Sequence, residues 1–98
     1  MIDKKSPLVI DKTLEKAFGH ALRQLRQERG LSQEALGFQS GYHRTYISLL
    51  ERGLKSPSLR TLFHLAEVLG VEVAEIMRLA QSKRIEAAQP LENKDGEE

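Results

Sequence analysis

The amino-acid sequence predicts an all-α fold, a compact bundle of about five short helices around one core. Three observations carry that prediction. From Leu14 onward, apolar residues recur three and four positions apart, the spacing of one helix face. Gly, Ser and Pro punctuate the chain between these runs, where helices start and stop. No segment joins two-residue alternation to β-branched enrichment, so a sheet has little support.

The elements follow in order. Phe18, Leu22 and Leu25 line one side of a first helix that reaches about Glu28 and stops at Gly30. Ser32 suits an N-cap, since its hydroxyl can accept a hydrogen bond from a free backbone N–H of the next turn. A second helix over about residues 33–39 is interrupted by "SGY", where Gly41 supplies the backbone angles of a sharp turn. The third helix, about residues 44–51, lies within "HRTYISLLERG" and closes at Gly53. After "LKSPS", with Pro57 in a turn and Ser58 as a cap, a fourth helix over about residues 59–69 points Leu59, Leu62, Phe63, Ala66 and Leu69 inward. Leu36, Ile47 and Leu50 complete the expected core. A fifth helix starts near Val73, carries Ile76, Leu79 and Ala80, and continues to about Ala88.

The domain is thus expected over residues 14–88. Residues 1–13 form a flexible arm in which "PLVI" can add a short docked strand or a dimer contact. Residues 89–98, acidic and containing Pro90, form a disordered tail.

Composition bounds the chemistry. The 98 residues suit one domain. With no Cys there are neither disulfides nor thiolate metal ligands, and no apolar run approaches the roughly 18 residues of a membrane span. "PLVI" is too short for the apolar region of a signal peptide, so the expected location is cytoplasmic. The net charge of +1 hides a division: residues 14–60 hold eight Lys or Arg against four Glu, and residues 61–98 hold four against eight acids. A basic front half suggests a polyanion partner, although chance clustering on a solvated surface explains the charge as well. His20, His43 and His64 are scattered without metal-ligand spacing, and there is no Gly-rich phosphate loop. No metal, no cofactor and no enzymatic activity are expected.

A short helix, a turn on Gly41 and a second short helix match helix-turn-helix geometry, in which the second helix enters the major groove. Residues 31–71, "LSQEALGFQSGYHRTYISLLERGLKSPSLRTLFHLAEVLGV", resemble the Cro and phage-repressor type helix-turn-helix family, also called XRE-like. Within it, "HRTYISLLERG" is similar to the controller proteins of restriction-modification systems. The resemblance implies a lambda-repressor-like fold and a homodimeric transcriptional regulator of double-stranded DNA.

The resemblance also implies roles residue by residue. Arg44 and Thr45 fall at the main base-reading positions; an Arg fork on guanine is worth roughly 1–3 kcal/mol of discrimination. Leu49 stands where some phage repressors carry a polar base-reading residue, so it either meets a thymine methyl or packs at the helix edge. Gln33 matches a position that contacts a phosphate and braces the recognition helix. Tyr46, Ser48, Arg52, Lys55 and Ser58 match backbone-contacting positions, Tyr46 being equally suited to packing on the second helix. Arg26 and Glu51 match a structural ion pair between the first and third helices.

One recognition helix spans only about four or five base pairs, so two are expected to act together, about 34 Å apart on a palindrome. Val73, Ile76, Leu79 and Ala80 offer the expected dimer surface, unless they only complete the monomer core. An antitoxin that also binds a toxin is the alternative function, and a protein-interaction module that no longer reads DNA is a third.

Overall fold

The structure, a computed structural model, describes residues 12–97, with side chains for residues 14–85. Five helices follow one another: α1 (Lys12–Glu28), α2 (Gln33–Ser40), α3 (Arg44–Glu51), α4 (Leu59–Leu69) and α5 (Val73–Glu97). No strand occurs among the described residues.

The caps explain why the helices end where they do. Ser32 accepts from the Ala35 N–H at 2.9 Å and opens α2; Ser58 does the same for Thr61 at 3.0 Å and opens α4. Each such cap is worth about 1 kcal/mol. Gly41 turns the chain between α2 and α3 with φ +87°, an angle that L side chains rarely adopt. Its N–H and that of Tyr42 satisfy the carbonyls at the end of α2.

Phe18, Ala21, Leu22 and Leu25 of α1 meet Leu36, Ile47 and Leu50 of α2 and α3, and Leu65, Ala66 and Leu69 of α4 close the core. Ile76 and Ala80 of α5 complete it against α1. Each large aliphatic side chain so buried contributes roughly 1.5–3 kcal/mol. α1 crosses the end of α3 without a side chain at the crossing: a Cβ on Gly19 would sit 2.4 Å from the Glu51 carbonyl oxygen. That close approach fixes how α3 lies on the domain.

Three details depart from the sequence reading. Leu59 and Phe63 face outward, 71% and 56% exposed, and Leu65 takes the inward place. At about 100° per residue, the α4 positions that reach the core are Thr61, Leu62, Leu65, Ala66 and Leu69, and Phe63 lies about 130° from their centre. α5 does not stop near Ala88 before a disordered acidic tail; its backbone is helical to Glu97. Charge and Pro90 argued for disorder, since an interior proline costs a helix about 3 kcal/mol, but Ala87, Ala88, Leu91 and Glu92 are strong helix formers. α1 begins at Lys12, inside the expected arm. The "PLVI" contact lies outside the described residues.

Candidate nucleic-acid interface

α3 is an eight-residue helix with three buried members, Ile47, Leu50 and Glu51. Ile47 and Leu50 anchor it by ordinary burial. Glu51 anchors it by charge: its carboxylate accepts from Arg26 Nε at 2.6 Å and Nη2 at 3.0 Å, joining α1 to α3. Arg26 Nη1 donates to the Leu31 carbonyl at 2.8 Å, so the guanidinium also ties down the start of the α2 loop. Hydrogen bonding to Glu51 holds Arg26 above its ordinary pKa, against the opposing effect of burial. Gln33 Nε2 adds a third donor to Glu51, at 3.0 Å. Helices α1, α2 and α3 thus converge on one carboxylate. With one amide hydrogen spent on Glu51, Gln33 braces α3 directly.

The opposite end of α3 is held by groups that the sequence reading passed over. His43 is its N-cap, with Nδ1 accepting from the Thr45 N–H at 3.0 Å. Histidine is not among the usual capping residues, so its place just before the helix was the only signal. A second set of contacts clasps α3 and the turn before it to α4. Tyr42 OH is hydrogen-bonded to Thr61 Oγ1 at 3.0 Å and to His64 Nδ1 at 2.9 Å. Ser58 Oγ donates to the same Thr61 oxygen at 3.0 Å. The rings of Tyr42 and Tyr46 pack with centroids 5.1 Å apart, and Tyr46 OH reaches Thr61 Oγ1 at 3.5 Å. Thr61 is buried, so its hydroxyl depends on these partners.

The outward positions now separate into groups. Arg44 and Thr45 are exposed in the first turn of α3, and neither side chain has a partner among the described residues. Placed at the positive end of the helix dipole, Arg44 does not serve helix stability. Ser48 and Arg52 are paired, Arg52 Nε donating to Ser48 Oγ at 3.2 Å on the exposed surface. Lys55 is exposed in the loop that follows. Leu49 is half-buried, which limits its reach toward a base. Tyr46, equally half-buried, spends its ring on Tyr42, and the Ser58 hydroxyl is occupied by its cap and by Thr61.

The expected dimer surface is corrected at two of its four positions. Ile76 is fully buried and Ala80 is 6% exposed, so both belong to the core of one chain, and Val73 and Leu79 are half-buried against it. Ile76 and Ala80 are thus turned toward α1, while Val73 and Leu79 keep part of their surface open.

Comparison with known proteins agrees with this geometry. Residues 22–76 match the family described as "Helix-turn-helix". An uncharacterised HTH-type transcriptional regulator of Sinorhizobium fredii, y4dJ, is 41% identical over 64 residues, covering 65% of this chain and 83% of that one. The crystal structure of the restriction-modification controller protein C.AhdI from Aeromonas hydrophila aligns with a TM-score of 0.61 at 44% identity, over 62% of this chain and 92% of that one. The biofilm master regulator SinR, in a crystal structure with DNA, aligns with a TM-score of 0.59 at 33% identity, over 61% of this chain and 97% of that one. The chain belongs to the helix-turn-helix family of DNA-binding regulators.

Proposed function

We propose that this protein is a sequence-specific transcriptional regulator that places α3 in the major groove of double-stranded DNA and acts in the cytoplasm as a homodimer on a palindromic operator. One observation carries the reading. Arg44 and Thr45 are exposed and without side-chain partners among the described residues, on a helix held at both ends, by Arg26–Glu51 and by the Tyr42–Thr61 clasp. Donors held in this way fit base edges, because the helix that carries them does not have to reorganise on binding.

Arg44 reads a guanine, and Thr45 bonds a neighbouring base or touches a thymine methyl. Arg52, Lys55 and the second amide N–H of Gln33 donate to phosphates and set the register. Tyr46 and Ser58 act mainly by holding α3 and α4 together, and Leu49 by packing. The relatives described above are regulators, one of them a restriction-modification controller, and the antitoxin alternative finds no support among them.

The test is selection of bound sites from random duplex DNA, repeated with two variants. Arg44→Ala is expected to lower discrimination at one base pair by about 5- to 150-fold while salt-dependent non-specific binding persists. Arg52→Ala is expected to weaken all sequences alike and to reduce the salt slope by about one. Unchanged site preference in Arg44→Ala would remove the base-reading assignment.

A further inference from the structure

The first turn of α3 hangs on one residue. The His43 carbonyl accepts from the N–H groups of Tyr46 and Ile47 at 3.0 and 3.3 Å, and its ring Nδ1 accepts from that of Thr45 at 3.0 Å. The Thr45 N–H has no carbonyl within the helix to reach, so the ring is what satisfies it. A Ser or Asn in this place accepts the same hydrogen bond whatever the pH. Histidine does so in one protonation state only. A nitrogen that accepts carries no hydrogen, so the capping ring is neutral with its proton on Nε2; an imidazolium donates from both nitrogens. Protonation therefore turns the cap into a donor facing the Thr45 N–H, and it adds a cation to the positive end of the helix.

No carboxylate is in place to offset that cation. His43 is exposed and has no ion-pair partner among the described residues. Its neighbour on α3 is the cationic Arg44, and Glu51, at the far end, is committed to Arg26. α2 approaches the turn through Gly37, and its charged residue, Glu34, stands back in its first turn. α4 reaches the turn through Thr61 and His64, which hold Tyr42, and neither its Arg60 nor its Glu67 pairs with the His43 ring.

We infer that His43 is the positioning residue for base reading: its neutral ring holds Arg44 and Thr45 in place, and protonation of the ring releases the turn that carries them. The inference rests on the regulator reading above and adds a regulation of the same site. Base contacts need the first turn ordered, whereas attraction of Arg52 and Lys55 to phosphates does not. Acid therefore lowers discrimination between sequences while binding to DNA as such persists. The share of molecules with an ordered first turn sets the apparent affinity for the chosen site, and loss of such a cap lowers that share by up to about 5-fold per chain.

Fluorescence anisotropy of the full chain tests this with a duplex selected by the wild-type protein and a scrambled one. Both are measured at fixed salt, at about pH 7.5 and about pH 5.5, one unit either side of the ordinary histidine value. The ratio of the two affinities is expected to fall about 5-fold or more in acid for wild type. His43→Asn, whose side-chain oxygen accepts at both pH values, is expected to keep the same ratio at both. His43→Ala, with no cap, is expected to show the lowered ratio at both. A wild-type ratio indifferent to pH overturns the inference. So does a His43→Asn ratio that falls as far as that of wild type, since His20 or His64 would then carry the effect.

Amide hydrogen exchange of the DNA-free chain, read against intrinsic rates at each pH, keeps the two readings apart. The Thr45 amide is expected to be protected at the higher pH and to lose its protection at the lower. Equal protection at both overturns the inference. Protection lost in acid, in a chain that selects no sequence, removes the regulator reading and leaves the proton-sensitive cap. Sequence selection indifferent to pH does the reverse.

Discussion

Removing the charge of Glu51 while keeping its shape isolates the tether on which α3 depends. Glu51→Gln is nearly isosteric, so no cavity opens and no apolar area is lost. Three donors now converge on this carboxylate, two from Arg26 at 2.6 and 3.0 Å and one from Gln33 at 3.0 Å. An amide in the same place keeps one acceptor oxygen but turns the other into a donor facing donors, and it leaves the buried Arg26 cation with neutral acceptors only, that amide oxygen and the Leu31 carbonyl. Breaking a buried pair on one side in this way costs about 3–5 kcal/mol, against a total stability of about 5–15 kcal/mol for a chain of this length. At about 4–8 °C per kcal/mol for a domain of this size, a loss of 3 kcal/mol lowers Tm by about 12–24 °C. Thermal unfolding followed by circular dichroism measures it. The double variant Arg26→Met with Glu51→Leu removes both charges and refills the volume, so it is expected to recover most of the loss. A single substitution that lowers Tm by less than about 4 °C would refute the reasoning, and so would a double variant that falls further than the single.

Two other outcomes follow from close contacts. Gly19→Ala would gain about 1 kcal/mol of helix propensity on an open helix, but here its Cβ meets the backbone oxygens of Glu51 and Leu50 at 2.4 and 2.6 Å. A net loss of about 1–3 kcal/mol in urea unfolding is expected as α3 is pushed off α1, and a stabilised protein would show that α3 yields freely. Thr61→Val keeps the volume and deletes the hydroxyl shared by Tyr42 and Ser58. It is expected to cost about 1–3 kcal/mol in the same measurement and to weaken DNA binding without altering which sequence is preferred; an altered preference would mean that the clasp reads sequence.

The helices were legible because their signals are local. Ser32, Ser58, Gly41 and the i, i+4 apolar pairs act within a turn or two of chain, and the observed bounds of α3 and α4 agree with the spacing. What escaped depends on distance. α4 is apolar over more than half its circumference, so its sequence alone does not say which side meets the core; Phe63, expected inward, lies outward, and Leu65 is buried in its stead. The Tyr42–Thr61–His64 contacts join residues 19 and 22 positions apart, and no local pattern announces them. The Arg26–Glu51 pair is equally non-local, yet it was anticipated, because a resemblance carries pairings that periodicity does not. Ile76 and Ala80 looked like spare apolar surface only because α1, their partner, lies far away in sequence.

The free side chains of Arg44 and Thr45 have a consequence for how such a protein changes over generations. Every contact that stabilises α3 comes from other positions: Ile47, Leu50 and Glu51 inside, His43 and Tyr46 at the near end. On the proposed reading, substitutions at residues 44 and 45 therefore leave the folding energy nearly untouched while rewriting the DNA address. A lineage built on this scaffold can drift from one operator to another without passing through an unfolded ancestor.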